Sequence, residues 1–249
     1  SVQDFARPFL EKGIKIVSAW AANAVPVAEY TLAQILLANK GFIQNAAKTK
    51  KDRQSAINYS RTFPGNYSVK IGILGAGMIG KKVIQFLKPF NLDVMVYDPF
   101  LSDEAADQLG VTKSTLEEIF SQCQTITNHI ANLPATIGIL NQSHFSRMLR
   151  NEIFINTGRG AQVVEKDLIY ALKAVPTRTA ILDVTDPEPP SHDSELLKME
   201  NVIITSHIAG SMEREVERMG CYMADEFMHY AKGDNFQYNV TLKMLETMA

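Results

Sequence analysis

The sequence predicts an α/β fold with a doubly wound parallel sheet, and three observations lead there. Between residues 70 and 205 short apolar runs alternate with helical patterns, as strands do when helical crossovers join them. A glycine-rich turn links the first of those runs to the helical pattern that follows it. The 249 residues are 46% hydrophobic and 21% charged, which is enough apolar material to cover both faces of such a sheet.

The elements follow in order. Phe5, Phe9 and Leu10 suggest a short helix ending near Gly13, and Ile14, Ile16 and Val17 a short strand. From Pro26, a residue suited to a first helical turn, one long helix is predicted to about Asp52. Val27, Tyr30, Leu32, Ile35, Leu36, Phe42 and Ile43 give it a broad apolar face, and Lys48, Lys50, Lys51, Asp52 and Arg53 a solvated end. Residues 58–68 are polar and turn-rich, hence a loop. Strands are predicted at 70–74, 93–97, 125–130, 153–156, 179–183 and 202–205. Helices are predicted at 81–87, 103–109, 115–120, 144–149 and 164–172, with a closing helix from about 212 to 232. Ser114 reads as the N-cap of the 115–120 helix, with Glu117 completing a capping box.

Composition excludes several classes of function. A formal net charge of -2 offers no basic field for nucleic acid. No apolar run is long enough for a membrane span, and the first residues do not read as a secretory leader. Cys123 and Cys221 have no metal-ligand spacing and read as reduced thiols, which suits the cytoplasm.

Gly75-Ala76-Gly77-Met78-Ile79-Gly80 is a G-x-G-x-x-G placed after a strand and at the start of a helix. Gly75 permits the tight turn, Gly77 lets the backbone approach a pyrophosphate, and Gly80 lets helix and strand pack closely. The helix start then offers free N–H groups to the phosphates. Asp98 ends the next strand, where a carboxylate accepts hydrogen bonds from ribose hydroxyls and repels a 2′-phosphate. No Arg or Lys follows in 99–102, so NAD is expected rather than NADP. This makes the sheet Rossmann-type.

Three later segments carry ionisable groups just after predicted strands: INTGRG with Arg159, ILDVTDPEPP with Asp183 and Glu188, and TSHIAGS with His207. Ligands of open α/β sheets bind beyond the carboxyl ends of the strands, so all three segments are expected at the cofactor crevice. Taken singly, each residue also has a plain reading as a loop or surface side chain.

With these segments, and with VPVAEYTLAQILL, GILGAGMIG, VYDPF and HIANLPATIGILN, the chain resembles the D-isomer-specific 2-hydroxyacid dehydrogenase family. It departs at Ala131, where a proline is usual. The resemblance implies hydride transfer between NAD(H) and a D-2-hydroxy or 2-oxo acid. His207 would be the acid–base group, Glu188 would hold its imidazole, and Arg159 would pair with the substrate carboxylate. Gly75, Gly77, Met78, Ile79, Gly80, Asp98, Pro99, His129, Ala131, Thr136, Thr157, Gly158, Asp183, His207 and Gly210 would line the cofactor site. Asp183 would sit near the nicotinamide amide or support the active-site strand. His129 reads equally as a cofactor-loop residue or a strand end, and Trp20 as pocket lining or core. His144, His192 and His229 read as structural or exposed, and no metal site is expected.

The resemblance further implies a homodimer built through the nucleotide domain. It implies that residues 1–24 are the tail of a flavodoxin-like substrate domain, 25–212 the NAD-binding domain, and 213–249 a helix returning to the substrate domain. On that reading the chain lacks most of the substrate domain and turns over poorly alone. It also lacks the regulatory extension of longer phosphoglycerate dehydrogenases. The substrate stays open among phosphoglycerate, hydroxypyruvate, glyoxylate and D-lactate types. The alternative is a non-catalytic NAD(H)-sensing dimerisation or corepressor-like module. Adenosylhomocysteine hydrolases and alanine dehydrogenases have related nucleotide domains, but the Arg–Glu–His order argues against both.

Overall fold

The structure, a computed structural model, describes residues 2–246. Its strands are β1 (Val69–Leu74), β2 (Leu92–Tyr97), β3 (Thr112–Lys113), β4 (Thr125–Asn128), β5 (Ile153–Asn156), β6 (Thr179–Leu182) and β7 (Val202–Ile204). All pair in parallel, in the order β3-β2-β1-β4-β5-β6-β7. The winding reverses between β1 and β4, so the loops leaving these neighbours diverge and open a crevice at the carboxyl edge. Two-residue β3 was not foreseen, being too short to show a period.

The helices are α1 (Val2–Leu10), α2 (Trp20–Ala38), α3 (Phe42–Lys51), α4 (Arg53–Ser60), α5 (Met78–Leu87), α6 (Asp103–Leu109), α7 (Leu116–Gln122), α8 (Gln142–Phe145), α9 (Glu165–Ala174) and α10 (Arg214–Lys232). Successive strand residues point to opposite faces, and the two cores follow that period. Ile71, Ile73, Ile153, Ile155 and Ile181 pack with Ala28 and Ile35 of α2 and Val83, Ile84 and Leu87 of α5. Ile126, Phe154, Ala180 and Leu182 pack on the other face with Ile119 and Phe120 of α7, Phe145 of α8 and Leu168 and Leu172 of α9. Both faces are covered, which is why β5 and β6 read as largely apolar runs rather than alternating ones.

Four expectations need correction. The single helix from Pro26 to about Asp52 is two helices, α2 and α3, with α4 beginning just beyond it. The first begins at Trp20, so Pro26 lies inside it rather than at its start. The break is tertiary in origin. The buried Asn39 amide accepts from Thr125 Oγ1 of β4 at 2.7 Å and donates to Asn66 Oδ1 at 2.9 Å, and Gly41 turns the chain at φ +59°. Asp52 then caps α4 by accepting from the Gln54 N–H at 3.0 Å, so part of the predicted 58–68 loop is helical. The cap of α7 is Thr115 with Glu118, one residue later than Ser114 with Glu117. Both registers carry the same spacing, and the chain takes the one that pairs Ser114 N–H with Val96. Residues 14–17 form no regular strand. They contribute one antiparallel bridge, Val17 to Asn239, flanked by Val240 N–H to Ile16 O and Ser18 N–H to Tyr238 O.

That bridge is anchored by Glu226 of α10. Its carboxylate is buried and accepts the N–H groups of Gln237 and Tyr238 at 2.9 and 3.2 Å. Trp20 packs here, in a small third cluster with Ala6, Val240 and Leu245. Of the segments expected at the two ends of the chain, Ser1 and residues 247–249 lie outside the described residues. Among the described residues no helix is long and apolar enough to cross a membrane.

Candidate active site

The glycine turn lies at the switch point. Gly75 takes φ +93°, and a Cβ there would meet the His129 carbonyl oxygen at 2.6 Å, so the turn is wedged against the loop leaving β4. A Cβ on Gly80 would come within 2.0 Å of the Gly75 carbonyl oxygen, which forces α5 close to β1. Gly77 differs. It is exposed, and nothing lies within 4 Å of the place its Cβ would occupy. It caps α5 without a side-chain bond, leaving the first N–H groups of α5, from Met78 and Ile79, to face a ligand. The Asp98 carboxylate accepts from Ala76 N–H at 2.7 Å and from Phe100 N–H at 2.8 Å, tying the turn to the end of β2. Each oxygen keeps a lone pair for a ribose hydroxyl.

Between the turn and the β4 loop opens a cleft lined by Gly75, Gly77, Asp98, Pro99, Ala131 and Thr136, with Tyr97, Phe100, Ile130, Leu133 and Ile139 supplying apolar walls. Thr136 shapes its rim. Its hydroxyl donates towards the carbonyls of Ala131 and Leu133 and accepts from Leu133 N–H. Open space over Gly77, unspent amides, a carboxylate at the β2 end and an apolar slot beyond it fit a dinucleotide.

His129 touches this cleft with its backbone, while its ring turns inward. Its two nitrogens meet Thr127 Oγ1 at 3.1 Å and Thr157 Oγ1 at 3.2 Å, and burial pulls its pKa down to about 3. It is therefore a neutral, structural imidazole at ordinary pH. The Thr157 hydroxyl is used by this ring and, at 3.5 Å, by Thr31 of α2.

Beyond β6 and β7, His207 Nδ1 and Glu188 Oε1 lie 2.6 Å apart with both side chains about half exposed. His207 has φ +62°, a left-handed conformation unusual for a residue with a Cβ. Asp183 accounts for it. Its buried carboxylate accepts from Ile208 N–H at 2.8 Å, Ala209 N–H at 2.9 Å and Thr205 Oγ1 at 2.6 Å. Of the two roles expected for Asp183, the geometry carries support of the His207 turn. Tyr30 reaches Thr205 at 3.3 Å, and Asn23 accepts from Ser211 N–H at 2.8 Å beside Gly210, so α2 braces the same turn.

Arg159 follows β5. It is exposed, and its Nη1 donates to the Gly158 carbonyl at 2.8 Å, leaving the rest of the guanidinium available. Its loop meets the Glu188 loop through backbone. A Cβ on Gly160 would fall 2.0 Å from the Thr185 carbonyl carbon and 2.5 Å from Asp186 N. Strands β5, β6 and β7 are consecutive neighbours, so Arg159, Glu188 and His207 leave the same edge of the sheet. Three buried amides at the same edge, Asn128, Asn156 and Gln162, had no forecast.

Residues 32–209 match the profile described as "D-isomer specific 2-hydroxyacid dehydrogenase, NAD binding domain". The chain belongs to that family. It is 31% identical to the D-3-phosphoglycerate dehydrogenase of Archaeoglobus fulgidus over 95% of this chain and 44% of that protein. It is 32% identical to the Homo sapiens enzyme of the same name over 89% of this chain and 41% of that protein. The chain thus spans less than half the length of these curated relatives. In fold it is similar to apo D-mandelate dehydrogenase of Rhodotorula graminis, with a TM-score of 0.81 at 21% identity over 95% of this chain and 71% of that one. It is likewise similar to a phosphoglycerate oxidoreductase from Rhizobium etli, with a TM-score of 0.81 at 23% identity over 97% and 73%. The chain thus carries the NAD-binding domain of a D-isomer-specific 2-hydroxyacid dehydrogenase, and the expected α/β Rossmann-type sheet and NAD cofactor stand.

Proposed function

We propose that the chain serves hydride transfer between NAD(H) and a D-2-hydroxy acid or its 2-oxo form, with Arg159, Glu188 and His207 as its working residues. The observation that carries this reading is the 2.6 Å pair of Glu188 with His207 on the edge that also bears Arg159. NAD, when bound, supplies the hydride acceptor. Glu188 on Nδ1 fixes the imidazole and leaves Nε2 as the nitrogen that exchanges the hydroxyl proton. The fork of Arg159 suits a carboxylate, whose charge it neutralises while orienting the reacting carbon. Asp183 positions His207 without touching the reactants. A sensor without chemistry gains no explanation for this preformed pair.

The same reading divides the chain into residues 1–24 and 213–249, belonging with a substrate domain, and 25–212, the NAD-binding domain. It includes a homodimer, supported by Leu37, Phe42 and Ile57, exposed apolar residues on α2, α3 and α4. A cytoplasmic setting is supported by the free thiols of Cys123 and Cys221. The test is NADH binding followed by turnover of a panel of 2-oxo acids, each with and without His207→Ala. A parent that binds no NADH, or a His207→Ala protein as fast as the parent, overturns the proposal.

A further inference from the structure

Three amide side chains stand at the crest of the sheet, all at most 1% exposed: Asn128 at the end of β4, Asn156 at the end of β5, and Gln162 in the turn before α9. Buried amides cost free energy unless every donor and acceptor is met. Here they meet one another and the backbone of three residues. Asn128 Nδ2 donates to Asn156 Oδ1 at 3.0 Å and to Gln162 Oε1 at 2.6 Å. Ile130, which lines the nucleotide cleft, has its N–H on Asn128 Oδ1 at 3.2 Å and its carbonyl on Gln162 Nε2 at 2.5 Å. Arg159 has its N–H on Gln162 Oε1 and its carbonyl on Asn156 Nδ2, both at 3.2 Å. Gly158 N–H completes the set on Asn156 Oδ1 at 3.1 Å. The orientation of the Gln162 amide is fixed by its partners. Oε1 faces two donors and Nε2 faces a carbonyl, and a flip would oppose like with like.

The same three side chains therefore clamp both peptide groups of a residue on the cofactor cleft and both peptide groups of Arg159. We propose that Gln162 is a positioning residue that couples occupancy of the nucleotide cleft to the placement of Arg159, so that bound dinucleotide readies the site for the substrate anion. The inference rests on the functional reading above for Arg159 and goes beyond it in naming the link. A displacement of Ile130 by a ligand in the cleft is passed through one rigid amide, because Gln162 holds Ile130 with its nitrogen and Arg159 with its oxygen. No other described side chain bonds to the backbone of both residues.

Amide hydrogen exchange at Ile130 and Arg159 tests this in the whole chain, with and without NADH. In the parent, NADH slows exchange at both N–H groups. In Gln162→Met, which keeps volume and loses both polar atoms, Arg159 N–H exchanges about tenfold faster before any ligand is added, and NADH then slows Ile130 alone. Gln162→Glu keeps the acceptor and loses the donor to Ile130. It holds the Arg159 N–H as the parent does but loses its response to NADH, which keeps the test open if the Met protein does not fold. Affinity for oxalate, a stable analogue of a 2-oxo acid, gives the second readout: NADH raises it about tenfold in the parent and under about threefold in Gln162→Met. Arg159 exchange that ignores the substitutions, or that answers NADH equally in all three proteins, overturns the coupling. A parent that binds NADH, shows linked exchange and turns over as fast with His207→Ala sinks only the functional reading. A parent that binds no NADH sinks both.

Discussion

The Arg159 loop and the His207 loop leave neighbouring parts of one sheet edge, yet they are held by different chemistry. Arg159 rests on neutral amides that trade hydrogen bonds among Asn128, Asn156 and Gln162. His207 rests on a buried carboxylate, Asp183, whose three donors force the backbone into a left-handed turn. On the proposed role, Arg159 gains from a neutral support, since a buried carboxylate behind it would compete for the guanidinium. On the proposed acid–base role, His207 gains from carboxylates, and it has Glu188 in contact and Asp183 beneath its turn.

The largest effects are expected at His207 and Arg159. His207→Ala is expected to lower kcat by about a thousandfold, the usual span for a lost acid–base group, while NADH affinity stays within about twofold. Steady-state turnover and fluorescence titration read the two effects. Arg159→Ala is expected to act mainly on KM for the 2-oxo acid. An equal fall in kcat and kcat/KM for Arg159→Ala would place it in the transition state alone and blur the division of labour.

The supports come next. Asp183→Ala strips a buried acceptor from three donors and is expected to cost about 3 kcal/mol, a fall in Tm of roughly 6–12 °C. Gln162→Met is expected to cost about 1–2 kcal/mol, because neutral bonds are weaker. Thermal melts that rank them the other way would remove the distinction between charged and neutral support.

His129 sharpens the comparison through pH. Its folded pKa near 3 lies below the ordinary value of 6.5, so between those values the unfolded chain binds a proton that the folded chain refuses. Above pH 6.5 neither state is protonated and the term is absent. As pH falls below 6.5 it removes stability at about 1.4 kcal/mol per pH unit. Urea unfolding at pH 7 and pH 5 should therefore show the parent losing about 2 kcal/mol more than His129→Gln. Gly77→Ala is the mildest change. With open space at its Cβ it should alter stability by less than about 0.5 kcal/mol, yet weaken NADH binding where the backbone must approach the phosphates.

The sequence made the sheet legible because both of its faces are buried, which gives strands such as β5 a run of apolar residues, Ile153, Phe154 and Ile155. The nucleotide turn was legible because its glycines answer to steric limits a reader can state in advance. Arg159, Glu188 and His207 were legible as a set only through resemblance, since nothing local says that residues 188 and 207 meet. The amide clamp was not legible at all. Asn128, Asn156 and Gln162 come from three separate segments, and each alone reads as a polar end to an apolar stretch. The break at Asn39 was hidden for a similar reason. Apolar spacing runs on through Phe42 and Ile43, and the interruption comes from Thr125 and Asn66, far away along the chain.

Gly160 sits where the two loops touch, with no room for even one carbon between its backbone and that of Thr185 and Asp186. The contact is made of main chain on both sides, so it acts as a fixed gauge block between the arginine and the acid–histidine pair. Side chains around it can be exchanged to suit another substrate without resetting that spacing. An engineer altering substrate choice would keep residue 160 untouched and vary what the gauge separates.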